Sequence, residues 1–115
     1  MREETRRAIA NAVLPRLGDD HRALFSKEAN AWTSMGWTDD GFFDHGAQAH
    51  VVRTDGGLYH HGLAAHILLE TEGTQFKGFD HASGRHFNGS VQGGTVIVYD
   101  PQAGRHYLFR LGEEA

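Results

Sequence analysis

At 115 residues, with 39% hydrophobic and 23% charged residues, the chain has the size and composition of one ordinary globular domain. That excludes a multi-domain enzyme, a barrel of alternating strands and helices, and wholesale disorder. Zero cysteines exclude a disulfide framework, a thiolate zinc site and a cysteine nucleophile, and a net charge of −4 leaves no basic footprint for duplex DNA or RNA.

The segment Met1–Arg7 is charged and has neither the apolar region nor the cleavage site of a secretory signal. The longest apolar stretch, Gly62–Leu69, is interrupted by His66 and is too short to span a bilayer. No lipidation motif is present. These features, with the absence of cysteine, point to the cytoplasm and away from a membrane.

Ile9, Ala12, Val13 and Leu17 recur at helical spacing, and Pro15 should end that helix near Leu14. Gly18 suits a C-terminal cap, and Asp19 or Asp20 an N-cap for a second helix. In that helix Leu24, Phe25, Ala29 and Trp32 would form the apolar face. Residues 1–35 are therefore expected to be a helical layer. Residues 36–46 have no clean period and read as an irregular connector anchored by Trp37, Phe42 and Phe43.

From residue 47 to 111 the chain reads as strands between turn signals: Gln48–Thr54, a long Leu58–Thr71 with a bulge at Gly62, Thr74–Phe79, Arg85–Val91, Thr95–Tyr99 and Arg105–Leu111. The expectation is a single α+β domain over 1–115. Two N-terminal helices pack on a roughly six-stranded antiparallel meander, open or curled into a half-barrel. Tyr59, Leu63, Ile67, Leu69, Phe87, Ile97, Tyr107 and Phe109 should face the helices.

Phe79-Asp80-His81-Ala82-Ser83-Gly84-Arg85-His86-Phe87 repeats as Tyr99-Asp100-Pro101-Gln102-Ala103-Gly104-Arg105-His106-Tyr107. Asp caps a type I turn and Gly supplies the positive φ that closes the loop, so Gly84 and Gly104 should both have positive φ. The pattern resembles the Tyr-Asp-x-x-Gly-Arg hairpins of large bacterial toxin shells, which implies shared hairpin chemistry over these two segments.

Nine histidines are the compositional anomaly, and protonating all of them would reverse the sign of the net charge. On one long strand His60, His66 and Glu70 share parity, so they could bind a transition metal from one face. No His-x-His or His-Glu-x-x-His spacing supports such a site. Asp39, Asp40, Asp44 and His45 are closely spaced but do not match a calcium loop. Acid–base chemistry would draw on His66, Glu70, His86, His106 and Arg85. The tail Gly104–Phe109 looks like the last strand of small microbial ribonucleases, and that resemblance implies His106 as general acid. Arg105 stands where that pattern has an acidic residue. Histidines crowded on one face would resist joint protonation, so stability should fall between about pH 7 and pH 5.

No cofactor fingerprint is present. The sequence reading is a small non-enzymatic interaction module of a bacterial cytoplasm that binds or neutralises a partner protein. The alternative is a small enzyme or ligand-binding protein using the histidine face. Association, as a homodimer or with a partner, is expected through Trp37, Phe42, Phe43 and Phe109, with Arg105–Leu111 as an open edge strand.

Overall fold

The computed structural model describes residues 1–16 and 21–112. Its helix, α1 (Glu3–Val13), starts with two acids in the first turn and ends at Leu14, whose N–H bonds to the Ala10 carbonyl just ahead of Pro15. Ten strands follow: β1 (His21–Ser26), β2 (Ala31–Trp37), β3 (Gly41–Asp44), β4 (Ala49–Thr54), β5 (Gly57–His60), β6 (Ala65–Glu72), β7 (Gln75–Asp80), β8 (Arg85–Gln92), β9 (Thr95–Asp100) and β10 (Arg105–Gly112). Each pairs antiparallel with the next, and β10 pairs with β1 to close a barrel.

This corrects the expected two helices on a six-stranded sheet. The proposed second helix is the hairpin β1–β2. Its apolar residues alternate, with Leu24 buried inside and Phe25 outside, paired across the ladder with Trp32 at a ring distance of 5.1 Å. The connector supplies β3. The long strand breaks at a turn containing Gly62, so β5 and β6 are separate. Arg105–Leu111 is no edge, because Leu111 faces Leu24 on one side and Arg110 faces Thr95 on the other. Leu17, Gly18, Asp19, Asp20 and the tail 113–115 lie outside the described residues.

Inward residues meet α1 in one core. Ile67, Phe87, Tyr107 and Phe109 are in it as expected, joined by Leu24, Met35, Phe42, Val51 and, from the helix, Ala8, Ile9, Ala10 and Leu14. Each fully buried Leu, Ile or Phe contributes about 1.5–3 kcal/mol relative to exposure. Tyr59 and Ile97 face outward instead, because each follows a buried neighbour on its strand, Leu58 and Val96.

One turn recurs at the same end of the barrel in all five hairpins. Ser26↔Ala31, Asp44↔Ala49, His60↔Ala65, Asp80↔Arg85 and Asp100↔Arg105 close four-residue loops. The last loop residue has positive φ in every copy: Asn30 (51°), Gln48 (52°), Ala64 (51°), Gly84 (70°) and Gly104 (66°). The expectation for both glycines therefore holds, and three more copies exist without glycine. A left-handed backbone costs an L-residue roughly 1–2 kcal/mol. A Cβ at Gly104 would meet nothing within 4 Å, so only the backbone conformation opposes one. Ala64→Gly is expected to raise stability by about 0.5–1 kcal/mol and Gly104→Ala to lower it by about 1 kcal/mol, measured by urea unfolding. Equal signs for the two changes would contradict the shared turn.

Candidate functional site

Strand parity sorts the histidines. His50, His66, His86 and His106 are equivalent outward positions, each opposite the aromatic that opens its turn. Tyr59–His66, Phe79–His86 and Tyr99–His106 ring centroids lie 4.8, 4.8 and 4.4 Å apart. His50 stacks on His61 at 5.8 Å and meets the Thr38 hydroxyl at 3.0 Å. His60 points the other way, into the barrel, with 1% exposure. The expected trio therefore splits, with His60 inside and His66 and Glu70 outside, because the turn at Gly62 resets the phase. No group of three or more His, Asp or Glu able to hold a metal occurs among the described residues.

The other candidates separate as well. Arg85 lies 3.7 Å from the buried Asp100 carboxylate. Phe42 and Phe109 are fully buried and unavailable to a partner, because their parity is inward. Trp37 is half-buried, edge-on to Phe42 and beneath the Arg22 guanidinium at 4.8 Å. Phe43 faces outward against His45.

What the register does assemble is a row across the outside of five strands. Glu70 (β6) faces Lys77 (β7), Lys77 faces Asn88 (β8), Asn88 faces Tyr99 (β9) and Tyr99 faces His106 (β10). Four strand spacings make the row about 19 Å long. Ser90 and Ile97 form part of the next row, and the whole lines a depression of about 910 Å³. Gly89 lies in its floor, where a Cβ would collide with the Ile97 carbonyl and the Phe76 ring. Gly89 alternates with the buried Phe87 and so faces inward, which lets the core phenyl of Phe76 pack directly against its backbone. Glu70 and Lys77 approach to 3.9 Å but are largely exposed, so the pair adds little stability and both charges remain open to a ligand.

Sequence reasoning named the two ends of this row, Glu70 and His106, and missed Lys77, Asn88 and Tyr99 as its middle. The signal that could have found them is the constant four-residue loop, which fixes the register of each hairpin once its copies are aligned. Comparison with protein-family models, with curated proteins and with solved structures gives no match, so the geometry alone carries the functional argument.

The one histidine set apart is His60. Its Nδ1 accepts the Leu63 N–H at 3.3 Å, which places the ring proton on Nε2, and Nε2 has no hydrogen-bond partner among the described residues. Burial lowers its pKa from the ordinary value, outweighing the attraction of Asp44 and Glu4 for the charged form. A histidine with a depressed folded pKa is harmless while neutral and costs stability as pH falls through its unfolded value near 6.5. One buried ring is thus a source of acid destabilisation apart from any crowding of the outward histidines. The melting temperature should fall from pH 7.5 to pH 5.5, and His60→Asn, which keeps a turn-capping acceptor, should flatten that fall. An unchanged pH slope in the variant would show that His60 is not the source.

Proposed function

We propose that the protein is a small non-enzymatic interaction module of a bacterial cytoplasm that binds a partner protein across the row Glu70–Lys77–Asn88–Tyr99–His106. The observation that carries this reading is the mixed chemistry of the row over a concave floor. A carboxylate, an ammonium, an amide and an imidazole surround the partly buried Tyr99 and Ile97. Protein interfaces take this form, an aromatic anchor in a shallow pocket within a polar rim. A phosphate backbone would need a cationic track, and the row opens on Glu70 within a chain of net charge −4.

Two further observations support it. Glu70 and His106, the pair that acid–base cleavage would need, sit at opposite ends of the row with three strands between them and are not paired across the ladder. The outward positions of β6 and β7 carry Glu70, Glu72 and Lys77, where a membrane barrel carries an apolar band.

A photo-crosslinking residue in place of Asn88 should yield a discrete protein adduct, and the same residue at the exposed Asp39 should not. Tyr99→Ala combined with Lys77→Glu should reduce the adduct about tenfold or more. An adduct between two copies would identify the partner as this chain itself. Equal adducts at both positions, or one indifferent to the double substitution, would sink the reading.

A further inference from the structure

At the end of the barrel away from the five turns, α1 packs against β9, β1 and β10 and leaves a crevice beside β4 to β8. Its volume is about 610 Å³, within the roughly 300–1,000 Å³ of small-molecule pockets. Val13, Leu58, Leu69, Phe76 and Val91 give it an apolar wall. Arg53 stands at its rim, opposite the buried Leu58 in the register and therefore on the inward side of β4. The Arg53 guanidinium has no ion pair among the described residues, although Asp55 shares the rim.

We propose that this crevice binds an amphipathic organic monoanion, an aliphatic carboxylate whose chain lies against the apolar wall and whose head group meets Arg53. The planar guanidinium matches a carboxylate fork. Asp55 at the same rim opposes a doubly charged head group such as a phosphate dianion. The helix C-terminus, whose carbonyls would repel an anion, is already covered. Arg22 donates to the carbonyls of Asn11 at 2.6 Å, Leu14 at 3.4 Å and Pro15 at 2.7 Å, and to the Asn11 side chain at 2.8 Å. The electrostatic surroundings agree: the Arg22 pKa is lowered to about 10 by burial and then by Arg53, which places a second positive charge near the first. This crevice opens on the inner side of the barrel wall and the partner-binding row on the outer side, and the two share lining only at Thr71, Gln75 and Phe76.

The test is calorimetric titration of the full chain with decanoate below its micellar concentration. The expected result is saturable one-to-one binding, weakened about tenfold in Arg53→Gln and about tenfold for decanol in place of decanoate. Leu69→Trp, which fills the crevice, should abolish binding while cooperative thermal unfolding shows that the barrel is intact. No saturable binding, decanoate affinity unchanged by Arg53→Gln, or decylammonium binding as tightly as decanoate would each overturn the assignment. The crosslinking at Asn88 should be unaffected by Arg53→Gln, so failure here is distinguishable from failure of the row.

Discussion

The lumen is the constraint on which the rest of this structure depends. Eight strands close around an interior that their own side chains can fill, and ten enclose more. The chain fills the excess with α1, whose Ala8, Ile9 and Ala10 are fully buried. A helix inside a barrel must also find partners for its polar residues away from water. Arg7 reaches Asp44 at 2.9 Å, Glu3 accepts from the Ser26 hydroxyl at 2.6 Å, and Asn11 meets Arg22. Removing one partner of a buried ion pair costs roughly 3–5 kcal/mol, against about 0–1 kcal/mol for an exposed pair such as Lys77–Glu70. The polar contacts therefore fix the helix's register and depth, while the apolar ones supply most of the free energy.

The repeated turn meets that demand economically, because in three of its five copies, those at Ser26, Asp44 and Asp100, one inward residue serves two structures. Asp44 caps its turn through Oδ1, accepting from Gly46 and Ala47, and offers Oδ2 to Arg7. Asp100 caps with Oδ1, and its Oδ2 lies 3.7 Å from both the Met1 amino group and Arg85. Ser26 accepts from the Ala29 N–H and donates to Glu3. His60 performs only the capping half. Its other nitrogen has no partner among the described residues, and burial of the ring lowers its pKa, so acid sensitivity falls at this copy.

How legible this was depended on residue identity at a few positions. Gly84 and Gly104 announce positive φ, so those two hairpins were readable with their turn geometry. Asn30, Gln48 and Ala64 take the same conformation under side chains that do not announce it, and the copies they close went unseen. Leu24, Phe25, Ala29 and Trp32 fit a helical face as well as a hairpin, and the turn at Asn30 was the deciding evidence. Closure is non-local: nothing near Arg105–Leu111 says that β1 will cover it. The site failed for a related reason. Glu70 and His106 were chosen as reactive residue types, whereas their placement at the ends of one row follows from four successive registers.

The internal copies also separate what the fold requires from what it leaves free. The aromatic that opens each turn (Phe25, Phe43, Tyr59, Phe79, Tyr99) and the ring opposite it (Trp32, His50, His66, His86, His106) recur in every hairpin. Cross-strand ring pairs of this kind contribute roughly 0.2–1 kcal/mol each, so a structural task explains them. His106 belongs to that set and needs no catalytic explanation. Two residues beyond the closing ring the copies diverge, to Ser34, Val52, Leu68, Asn88 and Leu108. Two residues before the opening aromatic they diverge again, to Ala23, Gly41, Gly57, Lys77 and Ile97. Lys77, Asn88 and Ile97 are thus outward-facing residues that the turn does not dictate, and they gather at an outer-face hollow that Tyr99 also lines. The constant positions thus build the barrel, and three of the variable ones, on the neighbouring strands β7, β8 and β9, line one depression.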